Sequence, residues 1–291
     1  MSRWLNEPIA VGVGTREIVV GARGSRFARL RKLRKSASAV EPVRASIRDD
    51  LRLTEAGLLD ALRAALEAHA EKTDQGRVST RDARLVLDDF WGDHAILHGD
   101  FRRMNRAELV EIVLAHFADT RGDDGGTLLV RFSVRRGGRV LFASAISRAL
   151  HDGIFEMSAL AHVGISRLTL CLPHMLDRVG IETGKGNALL MFVSDELMQA
   201  VISESGNWVA YDAQRLFSAD AGDASRLAVM AEQMFERSAT KAGLTREGCR
   251  IYLFGNEIDV APFEARFAAA IRPVRPSAGR SPAERLMESA Q

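Results

Sequence analysis

The chain has 291 residues, 46% hydrophobic and 27% charged, an ordinary globular composition with room for one large or two small domains and a core that needs no staples. Two cysteines, Cys171 and Cys249, exclude a disulfide framework and a four-cysteine metal site, and no run approaches the roughly 18 consecutive apolar residues of a membrane span. The formal charge of +2 conceals an asymmetry, because residues 1–48 hold eleven Arg or Lys against three Glu.

In chain order, residues 9–21 read as two short β runs around a Gly14-Thr15-Arg16 turn, β-branched residues flanking turn formers. A basic, serine-bearing stretch over 24–46 is expected to add one strand and a loop. The run 23–35, with Arg23, Arg26, Arg29, Arg31, Lys32, Arg34 and Lys35 and no acid, can meet phosphates or an acidic surface, or remain a solvated loop. Thr54 opens a helix with Leu58, Leu59, Leu62, Leu66 and His69 on one stripe. Residues 84–87 and 94–98 are expected to be paired strands. Asn105 with Glu108 has capping-box spacing ahead of a helix that carries Leu109, Ile112, Val113, His116 and Phe117.

Period two then takes over. Leu128, Val130, Phe132 and Val134 alternate with polar positions, and 139–145 returns as the second arm of a hairpin. A helix over 146–162 and a strand over 167–172, stopped by Pro173, complete the first half. A boundary at Thr183-Gly-Lys-Gly-Asn187 leads to a three-strand meander over 188–194, 196–203 and 207–213, a helix over 225–241, a strand over 250–254 and a last helix near 261–271. The tail holds three of the seven prolines and is expected to be disordered. Hairpins, helix and strand repeated after a short boundary predict an α+β (α/β) fold with two similar halves, 1–183 and 187–272, and a tail at 273–291.

Ligand-type residues cluster in Asp88-Asp-Phe-Trp-Gly-Asp93-His94-Ala-Ile-Leu-His98-Gly-Asp100. On a strand, His94 and His98 share a face but stand roughly 13 Å apart, too far for one ion with bonds near 2.1 Å. A metal-dependent hydrolase on Asp93, His94 and Asp100 is kept as an alternative. Thr183-Gly-Lys-Gly lacks the first glycine and the hydroxyl of a phosphate-binding loop, and Gly12-Val-Gly14 leads into a hairpin rather than a helix. Ser238-Ala-Thr-Lys241 lies inside an amphipathic helix without the partner motifs of a serine enzyme. His69 and His116 on apolar stripes, Cys171 between two leucines, and Met191, Phe192 and Trp208 on meander strands read as core. No residue reads as catalytic.

Several segments carry a likeness to a known fold: Ala10-Val-Gly-Val-Gly-Thr-Arg-Glu-Ile-Val-Val, residues 85–97, 109–117, 130–145, Gly164-Ile-Ser-Arg-Leu-Thr-Leu-Cys-Leu-Pro173, 187–211 and Ile251-Tyr-Leu-Phe-Gly255. In this order they resemble the actin-like (ribonuclease H-like) fold, in particular its PilM-type pilus assembly proteins and the cytoplasmic domain of GspL-type secretion proteins. The resemblance implies a two-domain fold with mixed sheets and a nucleotide cleft at Gly12, Gly14, Thr15, Asp195, Gly255 and Asn256. ATP-binding members carry an Asp-x-Gly-[Ser/Thr] hairpin with a Lys on the return strand. Here Gly12 stands at the Asp position and Val19 near the Lys, so the cleft is expected to be vestigial, with no ATP or magnesium cofactor and no hydrolysis. The start, without an apolar signal region, and a polar tail in place of a membrane helix liken the chain to the freestanding PilM arrangement. The implied role is a non-catalytic cytoplasmic scaffold of a type IV pilus or type II secretion-like machine, peripheral to the inner membrane. Its expected partners are the cytoplasmic tail of a bitopic PilN-like protein and a motor ATPase, with no nucleic acid. Arg26, Arg29, Arg31 and Arg34 are the expected contact with an acidic partner or anionic lipid. A nucleotide-binding switch is the other alternative.

Overall fold

The computed structural model describes residues 8–22, 41–73, 81–122, 125–179, 186–217, 220–239, 244–273 and 280–290. The chain forms two compact units, one of Met1–Trp91, Ala149–His174 and Arg280–Gln291, the other of Gly92–Arg148 and Met175–Gly279. The division is not the sequential one expected at 183–187. The chain leaves the first unit at Gly92, returns at Ala149, and its C-terminal segment belongs to the first unit again.

The first unit is built on a five-stranded sheet of order β3-β2-β1-β4-β8. Its strands are β1 (Ile9–Val13), β2 (Glu17–Ala22), β3 (Val43–Ser46), β4 (Arg81–Leu87) and β8 (Val163–Leu170). β1, β2 and β3 run antiparallel as a meander, while β4 and β8 join parallel to β1. Helix α1 (Glu55–Thr73) packs on β2 and β3, and α3 (Arg148–Leu160) crosses α1 where Leu59 fills the space beside Gly153.

The second unit repeats this plan with order β11-β10-β9-β12-β13. Here β9 (Ala188–Val193), β10 (Leu197–Glu204) and β11 (Asn207–Arg215) form the meander, and β12 (Arg250–Gly255) and β13 (Ala269–Ile271) the parallel additions. Helix α5 (Ala224–Ala239) buries Leu227, Ala231, Met234 and Phe235 against the face of Leu189, Met191, Ile251 and Leu253. The same unit contains a three-stranded antiparallel sheet, β5 (Gly92–His98), β7 (Val140–Ser147) and β6 (Leu128–Arg135) in that order. It packs on α2 (Arg106–Arg121), whose Asn105–Glu108 capping box is present as the spacing predicts.

Four expectations change. The strands around 84–87 and 94–98 are not partners: β4 pairs with β1 and β8, and β5 with β7. Three buried residues in a row at the end of β4 suit a strand flanked on both sides, whereas β5 and β7 place Ala95, Leu141, Ala143 and Ala145 on the face covered by α2. Pro173 does not stop a strand. It sits in the first turn of α4 (Cys171–Val179), where its missing N–H leaves no bond unmade. The expected helix near 261–271 is one turn, α6 (Ala261–Glu264), followed by β13.

The fourth change is the tail. Rather than disorder throughout 273–291, the chain forms α7 (Pro282–Ser289), opened by a Ser281–Glu284 capping box with Pro282 at its start. Its Ala283, Leu286, Met287 and Ala290 pack against Ala10, Val19 and Val86, and burying Leu286 and Met287 contributes about 1.5–3 kcal/mol each. The seat is built of small residues. A Cβ at Gly12 would collide with the Ala283 carbonyl and the Met287 amide, and one at Gly21 would stand 2.8 Å from the Met287 sulfur. Glu284 also pairs with Arg44 beside the helix.

Gly12→Ala pushes a methyl into helix backbone, and urea denaturation is expected to show a loss of about 1–3 kcal/mol with faster amide exchange over 282–290. Gly186→Ala, whose Cβ meets nothing within 4 Å, is the control and should stay within about 0.5 kcal/mol of the parent.

Candidate functional site

The two units repeat not only a strand order but the hydrogen bonds that close their first hairpins. In the first, Gly14 N donates to Glu17 O (3.0 Å), Ile47 N to Arg16 O (2.7 Å) and Asp88 N to Val13 O (2.8 Å). In the second, Ser194 N donates to Leu197 O (2.9 Å), Leu216 N to Glu196 O (3.0 Å) and Asn256 N to Val193 O (3.1 Å). Thr15 thus corresponds to Asp195, Asp88 to Asn256, Leu87 to Gly255 and Gly12 to Phe192. The expected cleft residues fall on these positions, Gly12, Gly14 and Thr15 in the first unit and Asp195, Gly255 and Asn256 in the second.

At the first hairpin the polar groups are committed within the protein. The Gly14 carbonyl accepts from Trp91 Nε1 at 3.1 Å, and Gly12 lies under α7. Thr15 is buried. The buried Asp88 accepts from Phe90 N at 2.9 Å, and the buried Asp89 accepts from Leu172 N with both oxygens, at 2.8 and 3.0 Å. Asp89 therefore caps the N-terminus of α4, where the exposed amides and the helix dipole favour a carboxylate. Burial, reinforced by the Asp89 and Asp88 charges, holds the Cys171 thiol well above its ordinary value.

At the second hairpin Asn256 Nδ2 donates to Asp195 Oδ1 at 3.1 Å. Gly255 has φ +102°, and a Cβ there would strike the Val193 carbonyl, so both conformation and space demand glycine. Where the first unit has Gly12, the second has Phe192, stacked on Phe254 with ring centroids 4.9 Å apart. Magnesium-ATP asks for carboxylates free to hold hydrated metal and a cation or open amides for the phosphates. These residues do not fit that set: Asp88, Asp89 and Asp195 each carry a hydrogen bond from the chain, and position 12 offers a helix backbone instead of a carboxylate.

The alternative metal centre on Asp93, His94 and Asp100 does not assemble. Successive residues of β5 point to opposite faces: Asp93 meets Arg121 of α2 at 2.8 Å, while His94 bonds Ser144 at 2.8 Å on the other side. Asp100 is paired with Arg102, which lowers its carboxyl to about 2. Among the described residues no group of three or more metal-ligating side chains converges. Arg26, Arg29, Arg31 and Arg34 lie outside the described residues, as do Thr183, Gly184 and Lys185. Reading along the chain placed Asp88 and Asp89 in that metal-type cluster and not at the first hairpin. The signal that joins them to it is the correspondence of Asp88 with Asn256, visible only once the strands are paired. No helix among the described residues is long and apolar enough to cross a membrane.

No family model and no curated protein matches the sequence. Solved structures match the fold along nearly the whole chain. A Bacteroides thetaiotaomicron protein of actin-like ATPase fold and unknown function aligns with a TM-score of 0.56 at 9% identity, covering 93% of each chain. The PilM–PilN type IV pilus biogenesis complex matches with a TM-score of 0.56 at 14% identity, over 98% of this chain and 96% of that one. The cytoplasmic domain of EpsL, an inner membrane component of the type II secretion system of Vibrio cholerae, matches with a TM-score of 0.51 at 11% identity, over 98% and 94%. The chain has the actin-like fold, in the α+β class its sequence predicts.

Neither thiol is placed to act as a nucleophile. Burial pushes Cys249 up to about 12, offset in part by the hydrogen bond from the Leu189 backbone, and Cys171 is raised as well. A thiol reagent at pH 7.5 is expected to label the partly buried Cys171 and the buried Cys249 far more slowly in the native protein than after unfolding. Rapid native labelling of Cys171 would contradict this reading of its surroundings.

Proposed function

We propose that the chain is a non-catalytic assembly scaffold of actin-like fold. On this reading it serves a type IV pilus or type II secretion-like machine at the cytoplasmic face of an inner membrane. The observation that carries the proposal is the near-complete coverage, 98% of this chain, in the matches to the PilM–PilN complex and to the EpsL cytoplasmic domain. The commitment of Asp88, Asp89 and Asp195 to hydrogen bonds with the chain, together with the helix laid over Gly12, supports a role that does not turn over nucleotide. The proposed partners are the cytoplasmic tail of a bitopic PilN-like protein and a motor ATPase. The proposed anionic contact is Arg26, Arg29, Arg31 and Arg34.

A nucleotide-dependent switch is the second reading, favoured by Asp195 and Asn256 at the end of a second phosphate-type hairpin. Calorimetry separates the two. A ligand at 100 times its Kd adds about 2.7 kcal/mol to stability. The scaffold reading expects no such gain with millimolar magnesium-ATP, and a gain of that size would favour the switch.

Affinity capture from membranes of the source organism tests the assembly role. Recovery of a single-span pilus or secretion component, or its motor ATPase, is the expected result. It should weaken when Arg26, Arg29, Arg31 and Arg34 are reversed to Glu and as salt rises. A folded bait that retains none of these in mild detergent would remove the assignment.

A further inference from the structure

The sheets differ in how their edges end. β3 and β13 are edges of only four and three residues. β8 is interrupted by a register shift opposite Ala83/Arg84 and carries Arg167 in register with Arg84. β11 and β5 close on each other: Tyr211 meets His94 edge to face at 5.6 Å, and His98 Nε2 reaches the Val209 carbonyl at 2.7 Å. Short strands, bulges, charges and covering elements are the means by which proteins blunt edges. Among the described residues β6 is the long edge that lacks a bulge and a covering strand. It runs eight residues in unbroken register with β7, and four of its last five positions are exposed.

Its two faces are chemically distinct. Val130 and Phe132 pack toward α2, and Val134, next on that face, is 39% exposed. Arg131, Ser133 and Arg135 occupy the opposite face. Arg135 is held, with its Cζ 4.2 Å over the Trp208 ring and a nitrogen 3.1 Å from Asp177. Arg131 is exposed and has no carboxylate partner among the described residues. We infer that β6 is a docking edge for an extended peptide of another protein, which adds as a fourth strand with apolar side chains beside Val130, Phe132 and Val134 and an acidic side chain beside Arg131.

Main-chain hydrogen bonds supply affinity in such strand addition, and alternate side chains supply specificity. A second copy of the chain does not suit the edge. Leu128–Arg135 contains no Asp or Glu, so self-pairing leaves Arg131 uncompensated in both copies. This inference goes beyond the assembly proposal and does not depend on it, since it concerns one strand edge and the chemistry of its occupant.

The test selects displayed random twelve-residue peptides against the full chain at 100 mM salt and follows the binders by fluorescence anisotropy and amide exchange. Binders are expected to alternate apolar and acidic residues and to slow exchange over 128–135. Arg131→Glu should weaken them about fivefold or more, and replacing the peptide's acids with lysine should restore binding to that variant. Arg131 is exposed, so the variant is expected to fold, which its circular dichroism checks. The inference is overturned if no binder emerges, if binders leave β6 unprotected, or if lysine peptides bind the parent chain equally well. Protection of β6 by self-association without peptide would overturn the assigned occupant.

Discussion

The seat of α7 on β1 is the contact on which the first unit turns. β1 is the middle strand of its sheet, antiparallel to β2 and parallel to β4, and its Ala10–Gly12–Gly14 face has almost no side-chain volume. Bare backbone on a central strand leaves a furrow, and only something equally close-fitting can fill it. The first turns of α7 do so, with the Ala283 carbonyl and Met287 amide where a side chain at position 12 would be. A strand near the start of the sequence is thereby covered by a helix about 270 residues further along.

That same contact bears on chemistry. The ATP-binding proteins that the sequence resembles carry a carboxylate where this chain has Gly12, and the seat of α7 leaves room only for glycine there. Around it, Trp91 Nε1 donates to the Gly14 carbonyl and Asp89 accepts from the Leu172 amide in the first turn of α4. The second hairpin keeps more polar character in Asp195 and Asn256, but these bond each other. The two hairpins share a frame of backbone bonds with different side chains set into it.

The three-stranded sheet obeys a different constraint, the two-residue period of a strand. Asp93 and His94 are neighbours in sequence and cannot be neighbours in chemistry, because one faces α2 and the other faces the aromatic side with Phe142 and Tyr211. On that side Trp208 gathers Phe142 and the Arg135 guanidinium, tying the small sheet to β11. The opposite edge, β6, is left with its backbone unmatched by any strand among the described residues.

The sequence by itself determined most of the elements. The alternation of 128–134, the stripe of 58–69 and the Asn105–Glu108 cap are local, since each follows from side chains a few residues apart competing for water, core or an orphan amide. The expected repeat of strand order is present in the two five-stranded sheets, but not with the boundary read from the sequence. Only the tertiary structure decided which strands pair, that residues 92–148 join the second unit, and that the proline-bearing tail becomes a helix. These depend on partners far away in the chain: β4 is selected by β1 and β8, and α7 by a furrow 270 residues before it. A proline at 282 reads locally as a breaker. Once Ser281 precedes it and β1 offers a surface, the same proline is a helix start, because burial against a distant strand outweighs what the tail alone prefers.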